Sequence, residues 1–266
     1  MAITSIDNIA AGLSVAQRID YIKNITVPKA IGSWQSSWLG TGFPGAGGAS
    51  PLYNAGSGYI CDDATAGAVP YINAATQNYL AKWLNTSVIA GTFILADRLW
   101  SCSGMGYGAA TYTVTTPGEL PARITDYGVG CELWVEQFAA AGAATVSLTC
   151  AYKNPGDGAE NGVINPVVSA PLIGQMQPVP LQVGATGIRS LVSVTNSNTW
   201  TSGTWGMTIL KRIATIEVMY GGAGKTLDWA GLGLPRIPND ACLFWLFQGA
   251  AATATQITGS MAIIDK

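Results

Sequence analysis

The stretch TVSLTCAY, residues 145–152, decides the fold class because its apolar and polar side chains alternate strictly. Val146, Leu148, Cys150 and Tyr152 would point to one face of an extended chain. Thr145, Ser147 and Thr149 would point to the other. This alternation is typical of a strand with one buried and one solvated face. The stretch therefore predicts a half-buried β-strand.

Other segments along the chain carry the same kind of signal. The alternation recurs in CELWVE, where Cys131, Leu133 and Val135 would face one side and Glu132, Trp134 and Glu136 the other. Further β-rich runs lie at Thr92–Leu95, Tyr112–Thr116, Ile188–Thr195, Gly206–Lys211, Thr215–Tyr220 and Cys242–Phe247. Turn-forming clusters separate many of them, at Asn154–Gly162, Thr195–Gly203 and Tyr220–Gly224. Short strands without helices between them predict a mainly β protein, an antiparallel β-sandwich of the jelly-roll kind.

The N-terminal part predicts a different organisation. Thr4 to Asn24 predicts a helix that Thr4 or Ser5 would cap, because its apolar residues recur at spacings of three and four. Pro70 to Asn85 predicts a second helix on the same grounds. We therefore expect helices and an extended arm in residues 1–87, followed by a sandwich domain in residues 88–266.

The arm is the segment Trp34 to Gly58, which is rich in glycine, serine and proline. A plain linker would be polar throughout, whereas large apolar side chains are interleaved here. The segment fits an extended arm that docks onto another protein, or alternatively a long loop folded over its own domain. The predicted protein-interaction residues are Trp34, Trp38, Phe43, Leu52 and Tyr53.

Composition narrows the class of partner. Only 11% of residues are charged, whereas a typical globular domain has about 25%. So few charges give a free monomer little protection against association, which predicts a homo-oligomer or a surface covered by a partner. The net charge is −2 and no run of Lys or Arg occurs, so direct nucleic-acid binding is not expected.

No membrane segment is expected either. The most apolar stretch, Val88 to Trp100, is shorter than the roughly 20 residues that a spanning helix needs, and Asp97 and Arg98 interrupt it. The first residues, MAITSIDNIA, lack the basic start and apolar core of a secretory signal.

Several motifs that could carry chemistry have simpler explanations. The run GGAGKT, Gly221 to Thr226, has Met219 where a phosphate-binding loop needs its first glycine, so we interpret it as a β-turn. Glu132 and Glu136 flank Trp134, but four strand positions span about 13 Å, beyond the about 5–9.5 Å of glycosidase carboxylates. We expect both glutamates on a solvated or partner-facing surface.

Metal and cofactor chemistry is not expected. The chain has no histidine to activate a nucleophile or complete a zinc site, and its five cysteines form no C-x-x-C pair. Those cysteines predict small apolar core residues in a chain assembled in a reducing cytoplasm. The pairs Asp62/Asp63 and Asp157/Glu160 could hold calcium, although ordinary surface turns are the simpler interpretation. We expect no enzyme activity and no cofactor.

A set of segments resembles a family of tailed-phage virion structural proteins that are usually encoded among the head genes. The segments, in order, are GSWQSSWLGTGFPGA (32–46), ILADRLWSCSGMG (94–106), TVTTPGELPAR (113–123), VGCELWVEQF (129–138), PVPLQVGATGIRSLVSV (178–194), TWGMTILKRIATIE (204–217) and LPRIPNDACLFWLF (234–247). The resemblance implies a high-copy capsid protein, a cement or decoration protein that bridges subunits of the major capsid protein in the virion. A tail, adaptor or fibre component, or a carbohydrate-binding virion protein, remains the alternative.

Overall fold

The computed structural model describes residues 5–25, 30–56, 59–106, 108–114, 120–165, 167 and 169–265. These residues form two short helices and sixteen strands. The helices are α1 (Ile6–Ser14) and α2 (Trp229–Leu232). The strands are β1 (Gln17–Ile25), β2 (Trp34–Ser36), β3 (Thr41–Phe43), β4 (Asn78–Ser87), β5 (Gly91–Met105), β6 (Thr111–Thr113), β7 (Cys131–Ala139), β8 (Leu148–Lys153), β9 (Ala159–Ile164), β10 (Gln175–Pro178), β11 (Ser190–Asn196), β12 (Thr204–Val218), β13 (Gly224–Asp228), β14 (Arg236–Ile237), β15 (Leu243–Gly249) and β16 (Thr255–Asp265).

The strands form a central closed barrel with a sheet packed on each of two sides. The barrel order is β10-β2-β15-β5-β12-β7. A four-stranded sheet, β6-β11-β8-β9, shares one apolar core with β5, β7 and β12. A six-stranded sheet, β13-β4-β16-β1-β3 with β14 beside β4, shares a second core with β5, β12 and β15. The predicted class, mainly antiparallel β in packed layers after a short N-terminal helix, is confirmed, and the middle layer is closed into a barrel.

The alternating stretch behaves as its sequence predicts. β8 begins at Leu148 within it and ends one residue beyond it at Lys153; Leu148, Cys150 and Tyr152 have no exposed surface, whereas Thr149 is exposed. The buried side chains belong to the core between the four-stranded sheet and the barrel. Burial of one face only is what makes the period of two visible in the sequence.

The predicted helix over residues 4–24 is correct only in its first half. Ser5 caps α1 by accepting a hydrogen bond from the Asn8 amide, and the helix ends at Ser14. The rest is wrong, because Gln17–Ile25 is a strand that pairs with β16 over its whole length. Its buried residues, Ile19, Tyr21, Lys23 and Ile25, follow a period of two that the exposed Ile22 obscures. Thr4 lies outside the described residues.

The predicted helix over residues 70–85 is wrong as well. Residues 78–87 form β4, which lies between β16 and β13. The register with β16 shifts between Lys82 and Leu80, so Ala81 is an extra residue in a β-bulge. The bulge changes the phase of burial, and Leu80 and Trp83, three residues apart, are both buried. A spacing of three in the sequence is therefore produced here by a bulged strand.

The division into an N-terminal part, residues 1–87, and a sandwich domain, residues 88–266, stays a prediction. Strands from the two parts are nevertheless hydrogen-bonded to each other. β1 and β4, from the N-terminal part, flank β16, the last strand. β2 lies in the barrel between β10 and β15. Within the described residues, neither helix is long and apolar enough to cross a bilayer.

Tyr21 connects the six-stranded sheet to the barrel. Its ring stacks on Trp245 of β15 with a centroid distance of 4.2 Å. Its hydroxyl accepts a hydrogen bond from Trp83 Nε1 at 2.8 Å and donates to Asn85 Oδ1 at 2.7 Å. Gly259 is the residue of β16 directly opposite Tyr21, and a Cβ there would overlap the tyrosine ring and the Leu84 carbonyl oxygen. Only glycine leaves room for this contact.

We therefore predict that Gly259→Ala destabilises the protein by about 1–3 kcal/mol, because overpacking forces the strand or the ring to move. Urea denaturation followed by tryptophan fluorescence measures the change. Gly48→Ala is the matched control, because a Cβ at Gly48 meets no atom within 4 Å. Equal stability of the Gly259→Ala variant and the parent protein would contradict the proposed close fit.

The five cysteines are core residues, as their sequence context predicts. All five are free thiols and buried: Cys61, Cys102, Cys131, Cys150 and Cys242. Burial raises the pKa of Cys102, Cys131 and Cys150 to about 12 because the thiolate would lose its hydration. An unfolded thiol has a pKa near 9.0, so the unfolded state loses its protons first as pH rises. The stability associated with each thiol is thus complete below about pH 9 and is lost towards about pH 12.

We predict a measurable effect of this linkage for Cys150, where burial is the sole cause of the shift. Between about pH 9 and 11 the unfolding free energy of the parent should fall more steeply than that of Cys150→Ala, by about 1 kcal/mol per pH unit. The cavity left by alanine changes the offset between the two curves but leaves the slope unaffected. Parallel curves in urea titrations across this range would contradict the prediction.

Candidate functional site

The glycine-rich segment predicted as an arm is folded onto its own barrel. β2 pairs with β10 and β15, and residues 51–56 and 59–61 run beside the part of β5 that β15 leaves uncovered. Backbone hydrogen bonds join Tyr53 N to Ser103 O at 2.8 Å and Ser101 N to Tyr59 O at 2.8 Å. The segment thus follows the alternative interpretation, a loop folded over its own domain. Gly58, its last residue, lies outside the described residues.

A buried lysine fastens this segment to the six-stranded sheet. Lys23 of β1 has no exposed surface, and its Nζ donates hydrogen bonds to the carbonyl oxygens of Gly40 at 3.1 Å and Gly45 at 2.9 Å. Burial lowers the pKa of Lys23 to about 8. These two hydrogen bonds hold the backbone just before β3, at Gly40, and just after it, at Gly45.

Three of the five predicted interaction residues pack against the chain itself. Trp38 is buried, and its ring centroid lies 4.6 Å from Cζ of Arg98. Trp34 is half-buried with its ring edge-on to Trp134, and Tyr53 is half-buried with its ring edge-on to Tyr112. These rings therefore belong to the protein's own core or to the half-buried layer around it.

The other two predicted interaction residues point outward. Phe43 is 49% exposed and Leu52 is 56% exposed. Phe43 pairs in register with Ile22, itself 37% exposed, on the edge strand β3 of the six-stranded sheet. Leu52 bridges to Ser103 of β5, and the exposed Ile60 bridges to Trp100 on the same strand. We name the pair Ile22 and Phe43 the edge patch, and the pair Leu52 and Ile60 the strap patch.

A buried ion pair lies in the core enclosed by the barrel strands. Arg98 of β5 and Glu136 of β7 have no exposed surface, and Arg98 Nη2 lies 2.6 Å from Glu136 Oε2. Thr208 of β12 donates a hydrogen bond to the same carboxylate oxygen at 2.7 Å, and Arg98 Nη2 donates to Ser101 Oγ at 2.7 Å. Burial, the largest single influence, acts to lower the pKa of Arg98, but the Glu136 carboxylate together with Cys61 and Cys242 raises it overall. The guanidinium is therefore charged.

The expectation that Glu132 and Glu136 face solvent or a partner is wrong for Glu136. Both faces of β7 are covered, one by the core under the four-stranded sheet and the other by the barrel interior, so alternation alone does not identify a solvated face. Glu132 is half-buried and pairs with Arg212 at 2.5 Å. Arg98 was not identified from the sequence as the partner of Glu136. The signal was available, because Arg98 is a charged residue inside an otherwise apolar β-rich run.

The remaining motifs form ordinary local structure. Residues 221–222 form a turn that leads into β13, a strand rather than the helix that a phosphate-binding loop would open. Asp62 accepts a hydrogen bond from Thr65, and Asp157 pairs with Lys153 at 2.9 Å. Over the part of the chain that the structure describes, no three cysteine or acidic side chains come together as metal ligands.

Comparison with known proteins identifies no family. No family model and no curated protein matches the chain. Weak structural overlap occurs with capsid structures of infectious bursal disease virus: the Gx strain (9% identity, 93% of this chain and 80% of that one, TM-score 0.21) and the VP2 subviral particle (9% identity, 94% and 81%, TM-score 0.23). TM-scores this low do not establish a common fold, so the overlap carries no argument about this protein.

The buried ion pair makes a direct prediction about stability. Glu136→Leu leaves the Arg98 charge buried without a counter-ion and should cost about 3–5 kcal/mol, whereas the double variant Arg98→Met/Glu136→Leu should recover most of that loss. Chemical denaturation of the parent, both single variants and the double variant gives the coupling energy. Losses that simply add in the double variant would contradict a direct interaction between the two charges.

Proposed function

We propose that this protein is a non-catalytic structural component of a virion, a cement protein that binds assembled major capsid protein subunits of a tailed phage. The observation that carries the proposal is the outward display of Phe43 and Leu52 from a segment that is otherwise anchored in the protein's own fold. Large apolar side chains held in this way are suited to burial against another protein.

The anchoring of the segment favours binding. A flexible arm would lose conformational entropy when it docks, whereas residues 51–56 and 59–61 are already held along β5 by backbone hydrogen bonds. Lys23 holds the chain around β3 in the same way. The edge patch and the strap patch can therefore contact a partner with little further ordering.

The edge patch also offers a backbone contact. β3 is three residues long and pairs only with β1 among the described strands, so its outer side is an open sheet edge. An extended segment of a capsid subunit could add to this edge while Phe43 anchors it. An open sheet edge can pair with another chain, and folded proteins usually cover or block such edges.

Composition and chemistry support a structural role over an enzymatic one. With 11% charged residues, the surface has few groups to keep copies apart. Glu132 and Glu136, the pair that resembles a carbohydrate-processing site, are each bound to an arginine, and Glu136 is fully buried. The resemblance of the segments quoted above to phage head-gene proteins points to the capsid as the partner, and a homotrimer as the assembled form.

We predict that Phe43→Lys and Leu52→Lys each weaken binding to capsids that lack this protein by about tenfold or more, because a charge would be buried in an apolar contact. Co-sedimentation with purified capsids measures occupancy. Val183→Lys is the matched control, since Val183 is 100% exposed and lies outside both patches. Full occupancy by both variants would contradict the proposed contact.

Location separates a capsid role from a role in the tail. A density map of intact particles should place many copies of this chain on the head lattice, with the edge patch or the strap patch against a capsid subunit. Copies confined to the neck, tail or fibres would overturn the cement assignment and favour the adaptor or fibre alternative.

A further inference from the structure

A charged cavity lies on the side of the barrel where β12, β14 and the loop after Pro121 meet. Its volume is about 240 Å³, and its lining includes Arg123, Lys211, Arg212 and Arg236. The whole chain has 13 lysines and arginines, so almost a third of them line this one cavity. Such a concentration in a charge-poor protein requires a physical explanation.

Internal ion pairs balance three of these four cations. Arg123 binds Asp97 through Nε at 2.8 Å and Nη2 at 2.9 Å. Lys211 binds Asp126 at 2.7 Å. Arg212 binds Glu132 through Nε and Nη2, with Nη2 at 2.9 Å from the carboxylate. In each arginine the carboxylate occupies the same edge of the guanidinium, so Nη1 has no hydrogen-bond partner in the described part of the chain.

Arg236 is the cation that these pairs leave unbalanced. Its side chain is exposed and has no ion pair or hydrogen bond within the described residues. Its position is nevertheless defined, because its backbone pairs with Tyr79 of β4 and the next residue, Ile237, is fully buried. With Asp97, Asp126 and Glu132 counted against the four cations, the site has a net charge of +1 in a chain of net charge −2.

The base of the cavity is rigid. Arg123 also donates to the carbonyl oxygen of Cys61 at 2.7 Å, and Asp97 accepts from the Cys242 amide at 2.9 Å, so this pair is fixed to two segments of the fold. Ile124, Ile213 and Pro238 supply apolar walls. Fixed guanidinium donors beside apolar walls form a preorganised site, since little ordering is needed when a ligand binds.

We propose that this cavity binds a compact anionic group, a carboxylate or a phosphate, with Arg236 as its main charge and the free Nη1 groups of Arg123 and Arg212 as additional donors. Guanidinium N–H groups match the planar carboxylate and the phosphate oxygens in geometry and charge. The cavity is distinct from the edge patch and the strap patch, so this inference does not depend on the proposed function.

Calorimetric titration of the purified full-length protein with citrate and with inorganic phosphate tests the proposal. We expect saturable binding of at least one probe, weakened about tenfold in Arg236→Gln because a charge-assisted hydrogen bond is lost. Binding should also weaken as salt rises, since the site is open to solvent. The probe that binds more tightly identifies the carboxylate or the phosphate as the preferred ligand.

A charge-matched control separates a site from general attraction. Lys225→Gln removes the same single charge from the exposed strand β13, outside the cavity lining, and should leave the dissociation constant within about twofold of the parent value. Thermal denaturation of both variants checks that they are folded. Absence of saturable binding of both probes, or equal losses in the two variants, would overturn the proposal.

Discussion

Closure of the central barrel around the Arg98–Glu136 ion pair is the constraint on which the rest of the structure depends. Two charges removed from water cost several kcal/mol each unless they are paired and hydrogen-bonded. β5, β7 and β12 supply partners for Arg98 Nη2 and Glu136 Oε2, whereas Arg98 Nε and Nη1 and Glu136 Oε1 have none among the described residues. The two flanking sheets pack on the outside of this barrel. A slip in strand register would therefore leave a buried charge unpaired and misplace both outer cores at once.

The glycine-rich segment serves the barrel and the proposed partner contact together. Its backbone covers the side of β5 that β15 leaves unpaired beyond Asp97, which satisfies backbone groups that would otherwise be left at an open edge. Its buried ring, Trp38, packs against the Arg98 guanidinium, while Phe43 and Leu52 remain outside. One segment thus completes the core and displays apolar groups in fixed positions.

Sequence reasoning succeeded where one face of a strand is buried and the other is wet, as in β8, because the period of two then appears directly in the residues. It failed at β4, where a bulge at Ala81 changes the phase of burial, and at β1, where the exposed Ile22, three residues after Ile19, imitates a helical spacing. It also misplaced Glu136, since a strand covered on both faces has no solvated side for alternation to reveal.

The sequence by itself determined the fold class, the burial of the cysteines and the scarcity of charge, because these follow from composition and from local periodicity. The tertiary structure alone decided that β1 and β4 flank the last strand, that Arg98 meets Glu136, and that four cations converge on one cavity. Those contacts join residues far apart in the chain, and local preferences hold no information about which distant strand completes a sheet or which distant charge neutralises another.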